Sequence, residues 1–358
     1  MINKKSRTIE WITDIAKQLK IHDIALAEKT IRAFSLLEAL ALSGCPFVFK
    51  GGSSLMLHLN TSKRLSIDID IICPPGTIIE EFLNKYSKEY DFGKVELVER
   101  ISRTNIPKQH AKFYYEVSYP GNGGQDKILL DVLFEETHYS KIVSLPIKSP
   151  LLITEDPYTM VSVPSHEDLL GDKLTAFAPH TTGIPFYKGQ KICTMEIIKQ
   201  LFDIASLFDI TNNLNITRDT FIKFAKVELE YRNLDSTNYL QVLDDIYESA
   251  LSICMRGLYN NDEYKLFQDG IRKIGNFIHC EKYTIDSAII NASKVAYLSK
   301  LLTYGVNNIE HYSVDNFMEL MHITINEPLP TKLNKFKKTH PEAFFYWYKT
   351  EELLQNKE

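Results

Sequence analysis

Residues 50–72 read KGGSSLMLHLNTSKRLSIDIDII, and this run constrains the fold more than any other part of the chain. A Gly-Gly-Ser turn precedes a short apolar helix, and a strand follows in which Asp68 and Asp70 alternate with isoleucines. Side chains along a strand alternate with a period of two, so Asp68 and Asp70 share one face while Ile67, Ile69 and Ile71 take the other. Two carboxylates side by side on a mostly apolar strand repel each other and lose hydration. A divalent cation relieves both penalties. Hard oxygen donors of this kind suit Mg²⁺, which commonly also binds substrate phosphates.

The turn supplies the anion-binding half. Gly51 and Gly52 let the backbone approach a ligand closely, and a helix N-terminus presents unpaired N–H groups. Ser53 is placed either to cap that helix or to bond a phosphate oxygen. Taken alone, a Gly-Gly-Ser is an ordinary turn and an Asp-x-Asp is an ordinary solvated strand face. In this order and with this spacing, the two together resemble the signature of the nucleotidyltransferase superfamily of DNA polymerase β type.

The rest of the chain sets the context. At 358 residues it exceeds the usual size of a single core, so two domains are expected. No apolar run approaches the roughly 20 residues that span a bilayer. The first 19 residues have charges throughout and no apolar signal core. Cys45, Cys73, Cys193, Cys254 and Cys280 are odd in number and lack metal-site spacing, which fits reduced thiols and a cytoplasmic protein. A net charge of −5 argues against a surface coated in nucleic acid and leaves room for a local basic cleft.

Periodicity divides the chain into an α/β first half and a helical second half. Helices are expected over 7–20, 24–43 and 78–89, and strands over 47–49, 64–72, 94–103, 112–119 and 127–134. Pro120-Gly-Asn-Gly-Gly124 marks a hairpin between the last two strands. Beyond about Ser165 the strand signal disappears. Helical patterns run over 166–177, 194–208, 217–231, 238–257, 262–279, 285–303 and 313–322. The expected fold is α+β, with a mixed sheet and flanking helices over 1–164 and a helical bundle over 165–358.

Asp131 stands isolated in the apolar run Ile128–Phe134. Either strand twist carries it to water, or it lies beside Asp68 and Asp70 as a third active-site acid, able to help deprotonate an attacking hydroxyl. Ser165 is placed to cap the next helix, with Asp168 at the capping-box position. Lys173 and Thr175 follow on that helix. A helical lysine is ordinarily solvated, but after an Asp-x-Asp strand it becomes a candidate for triphosphate binding.

Lys50-Gly-Gly-Ser-Ser-Leu, Arg64-Leu-Ser-Ile-Asp-Ile-Asp70, Leu130-Asp-Val132 and Asp172-Lys-Leu-Thr-Ala176 together resemble the AbiEii/AbiGii toxin family, within the DNA polymerase β-type nucleotidyltransferase superfamily. The resemblance covers about residues 45–210. It implies an NTP-dependent nucleotidyltransferase of a bacterial abortive-infection or toxin–antitoxin system. Mg²⁺ would be the cofactor, RNA or tRNA the acceptor, and an antitoxin a possible partner. It implies that Gly52, Ser53, Asp68 and Asp70 form the nucleotide–metal site, with Asp131 as the further acid and metal ligand. Lys173 would contact phosphate with Thr175 beside it, and Arg64 would lie next to the site or brace its strand. A fourth acid maps to Asp203 in preference to Asp209; the arginine usual before it is replaced by Phe202, and the alternative is a surface acid on an amphipathic helix. The competing readings are transfer to a small molecule or a protein, a non-catalytic NTP-binding module, and a purely structural helical scaffold.

Overall fold

The structure is a computed structural model that describes residues 1–59, 63–98, 108–118, 124–279 and 281–355. It divides into two compact units, residues 1–165 with 276–282 and residues 166–275 with 283–358. Residues 276–282 thus leave the helical half to pack with the first unit, so no single boundary along the chain separates the two.

The first unit contains α1 (Ile9–Gln18), α2 (Ile24–Ser43), β1 (Val48–Lys50), α3 (Gly51–His58), β2 (Ile69–Cys73), α4 (Glu80–Leu83), β3 (Phe92–Val98), β4 (Lys108–Glu116), β5 (Gln125–Phe134), β6 (Ile142–Pro146) and β7 (Met160–Pro164). Five strands form a mixed sheet in the order β1-β2-β5-β4-β3; β2 and β5 are parallel and the other pairs antiparallel. β6 and β7 form a separate antiparallel pair. Asp23 caps α2 by accepting from the Leu26 N–H, and Gly44 ends it in the left-handed region. Ile31, Phe34 and Leu37 on α2 are buried. They share one core with Ile69 and Ile71 of β2, Ala111, Phe113 and Tyr115 of β4, and Ile128, Leu130 and Val132 of β5. The period of two leaves the opposite sheet face to the intervening residues, Asp70, His110 and Asp131 among them. A buried acid, Glu38, is satisfied inside this unit by the Ile2 N–H, the Tyr90 hydroxyl and the Thr159 hydroxyl.

Several boundaries differ from the sequence expectation. The strand expected over 64–72 is confined to Ile69–Cys73. Residues 65–68 leave the ladder because Arg64 bridges Ile278 and the Leu65 N–H donates to Phe277 O. The helix expected over 78–89 is one short helix, α4, and a 3-10 turn at Ser87–Tyr90, closed by Asp91 at φ 63°. β6 and β7 carried no recognised signal. Within the expected strand 94–103, residues 99–103 lie outside the described residues, as do positions 120–123 of the hairpin turn and Cys280. The other four cysteines are buried free thiols.

The second unit contains α5 (His166–Ala176), β8 (Tyr187–Lys188), β9 (Lys191–Ile192), α6 (Thr194–Phe208), α7 (Asn215–Tyr231), α8 (Leu240–Cys254), α9 (Asn261–Ile274), α10 (Ile285–Tyr304), α11 (Phe317–Leu320), α12 (Phe336–Thr339) and α13 (Pro341–Gln355). Strand structure therefore returns after Ser165, as the two-residue ladder of β8 and β9. α10 opens with a capping box formed by Thr284 and Ser287 and packs against α6, α8 and α13. α13 was not anticipated; its Pro341 start and aromatic run bury Phe344, Tyr346 and Trp347. Among the described residues no helix is long and apolar enough to cross a membrane.

Candidate active site

The candidate site of the first unit is a row across the sheet face opposite the core. Ladder partners on neighbouring strands project to the same face. β1 places Lys50 opposite Asp70, β2 places Asp70 opposite Asp131, and β5 places Asp131 opposite His110. Two acids thus stand next to each other with a basic side chain at either end. Asp131 Oδ1 contacts His110 Nδ1 directly. An ionised carboxylate only accepts hydrogen bonds, so the imidazole nitrogen donates. Asp131 stands beside Asp70 in the ladder and its carboxylate also reaches water, with the side chain 44% exposed.

The glycine turn is built around Asp70. Gly51 has φ +79°, and a Cβ there would lie 2.2 Å from Asp70 Oδ2. The carboxylate therefore rests on the first residue of α3, where unpaired N–H groups favour an anion. A Cβ on Gly52 would lie 2.5 Å from an Arg64 guanidinium nitrogen. Arg64 is buried and donates to Leu65 O at 3.0 Å, and its backbone bridge to Ile278 anchors it. The two glycines thus admit one acid and one guanidinium into van der Waals contact with the turn.

Gly51→Ala combines a positive φ with a clash, so it should destabilise the fold by about 1–3 kcal/mol and lower activity by displacing Asp70. Urea denaturation and turnover measurements would check this. Wild-type values for both would show that Asp70 does not rest on the turn in solution.

Ser53 is not a cap. The N-cap of α3 is Lys50, without a side-chain cap bond, and Ser53 sits in the first turn, buried. Its hydroxyl donates to Asp68 O at 2.5 Å. That proton is committed to holding the backbone that carries Asp68, leaving the serine oxygen only as an acceptor. Ile69 and Ile71 pack on the core, which leaves Asp70 on the opposite face of β2, while Asp68 precedes the strand.

Among the described residues, no three His, Cys, Asp or Glu side chains are grouped so as to enclose a metal ion by themselves. The donor chemistry nevertheless fits Mg²⁺, which is held by one or two carboxylates and completes its shell with waters and substrate phosphates. Neighbouring carboxylates at the mouth of a glycine turn meet the protein's share of that set.

The remaining predicted residues belong to the second unit. Lys173 on α5 forms an ion pair with Asp203 on α6 at 2.8 Å and bonds Gln200 Oε1 at 3.2 Å. The Lys173 side chain is 8% exposed and that of Asp203 fully buried. Lys173 is therefore not on a solvated helix face, and Asp203 is not a surface acid. Thr175 is buried and its hydroxyl donates to Asp172 O of its own helix. Asp168 is fully buried and accepts from the Thr220 hydroxyl. Asp209 pairs with Lys294 at 2.7 Å.

Sequence reasoning missed Lys50 and His110 as members of the row. Lys50 was in view as the residue before the turn, but its place opposite Asp70 comes from β1–β2 pairing. His110 is recoverable only from the hairpin register, where Glu116 pairs with Gln125 and the count back reaches His110 opposite Asp131.

A family model described as "Nucleotidyl transferase AbiEii toxin, Type IV TA system" matches residues 35–273. No curated protein matches the chain. One similar solved structure is a crystal structure of an H. pylori protein provisionally assigned as a nucleotidyltransferase. It shares 13% identity and a TM-score of 0.42, covering 78% of this chain and 94% of its own.

Proposed function

Because the chain belongs to the AbiEii family of toxin nucleotidyltransferases, we propose that the acidic row of the first unit transfers a nucleotide from an NTP to RNA, with tRNA as the favoured class, in a Mg²⁺-dependent reaction that serves abortive infection. The observation that carries this reading is the register that sets Asp70 beside Asp131, with the Gly51-Gly52 turn packed on Asp70. Asp68 and Asp70 would hold Mg²⁺, whose positive charge supports the nucleotide phosphates and the departing pyrophosphate. The N–H groups at the start of α3 would take phosphate oxygens, and Ser53 would keep Asp68 in place. Arg64, fixed against Gly52, adds positive charge beside the turn.

Asp131 would accept the proton of the acceptor hydroxyl, with His110 orienting its carboxylate. The acceptor oxygen then bonds to the α-phosphorus as the bond to the bridging oxygen breaks and pyrophosphate leaves. Such catalysis is mostly positioning and electrostatics, so few side-chain types suffice. On the helical unit, Lys173 would act as a phosphate-binding cation held by Asp203, with Thr175 supporting the helix turn that carries it. The toxin–antitoxin character of the family implies a cognate antitoxin.

Each α-labelled NTP, incubated with the protein, Mg²⁺ and total RNA, tests the reading. Label should enter RNA from one or a few of the four nucleotides, disappear with a chelator and return with added Mg²⁺. Label on protein or on a small molecule would replace RNA as the acceptor. Tight NTP binding without release of pyrophosphate would make the chain a binding module instead of an enzyme.

A further inference from the structure

The second unit contains a cavity of about 480 Å³ between the end of α8 and the residues around α12. That volume is within the range of small-molecule sites. Its apolar lining includes Met255 and Phe336, both largely buried. Phe336 is held edge-on against the His340 ring at 5.4 Å, so its orientation is set before any ligand arrives. The cavity also carries cations: Arg256, Lys332 and Lys335 line it, with His340 beside them. Arg256 is carried on a left-handed backbone, φ 51°, an arrangement that is uncommon away from glycine and that collects at binding sites.

The charges are unbalanced. One acid, Asp286, serves both Arg256 at 3.1 Å and His340 at 3.0 Å. Neither Lys332 nor Lys335 has a carboxylate within ion-pair distance among the described residues. A concave site with low-dielectric walls focuses such a field and concentrates anions, and here it does so on a chain whose net charge is −5. An apolar, aromatic-lined floor beneath a rim of unbalanced cations fits a flat ring carrying a phosphate.

We propose that this cavity binds a nucleoside monophosphate moiety, with its base against Phe336 and Met255 and its phosphate among Arg256, Lys332 and Lys335. The moiety is either a free nucleotide or the terminal residue of an RNA. The inference does not rest on the assignment of the first-unit site.

The test is calorimetric titration with AMP of the wild-type protein, of Asp70→Ala and of the exposed-site double variant Lys332→Ala/Lys335→Ala. AMP should bind wild type and Asp70→Ala equally, and at least tenfold more weakly to the lysine variant. Ribose 5-phosphate, lacking the ring, should bind wild type at least tenfold more weakly than AMP. A 5′-phosphorylated oligonucleotide that displaces AMP from wild type identifies an RNA end as the source; failure to displace it identifies the free nucleotide. Equal AMP affinity in wild type and the lysine variant, or ribose 5-phosphate binding as tightly as AMP, would overturn the proposal. Loss of nucleotidyl transfer in Asp70→Ala does not bear on it, so the two readings fail separately.

Discussion

Asp70→Ala is expected to reduce nucleotide transfer by about a thousandfold or more, equivalent to ~4 kcal/mol of transition-state stabilisation, with little change in thermal stability. Asp70 stands in register with Asp131 and rests on the glycine turn, so the turn, the second acid and the proposed Mg²⁺ would meet there at one point. Its removal relieves like-charge repulsion with Asp131 but also takes an anion from the N-terminus of α3, and these effects oppose each other. The isosteric Asp70→Asn variant separates charge from shape. Pyrophosphate release and Tm should be measured on the same preparations. Transfer within tenfold of wild type in either variant would remove Asp70 from the reaction.

The largest stability effect is expected at the buried pair Lys173–Asp203. Lys173→Ala leaves a fully buried carboxylate without its cation, and Asp203→Ala leaves an ammonium that is almost as well enclosed. Breaking such a pair costs about 3–5 kcal/mol, whereas replacing both partners by apolar groups of similar volume is often near neutral. The double variant Lys173→Met/Asp203→Leu should therefore be more stable than either single variant in urea denaturation at pH 7. Single variants within about 1 kcal/mol of wild type would indicate a solvated pair of the surface kind. The double variant also separates the two roles of Lys173. If the lysine only holds α5 to α6, restored stability restores transfer; if it binds phosphate, transfer stays lost.

The match between the AbiEii family and the motif resemblance shows how much of the activity is written locally. The Gly-Gly turn, the Asp-x-Asp alternation and the lone acid in 128–134 are each readable because they depend on backbone conformation and a period of two. The α2 limits were equally legible, since an Asp cap, an apolar stripe and a terminal glycine all act within a few residues. α13 was overlooked although proline and aromatic residues mark it, because its stripe is wide and its burial comes from α10.

By itself the sequence determined the mixed α+β character, the helical second half, and the placing of Asp70 on the strand face opposite Ile69 and Ile71. These follow from interactions between residues close in the chain. Only the tertiary structure decided that residues 276–282 return to the first unit to hold Arg64, and that Lys50 and His110 end the acidic row. It also decided that Ser53 braces Asp68 and that Lys173 and Asp203 neutralise each other in a buried setting. The reason is physical. Strand register and buried ion pairs join residues far apart in sequence. A register slip of one residue would have turned His110 to the core face, a choice settled by the packing of the whole sheet and not by any local preference.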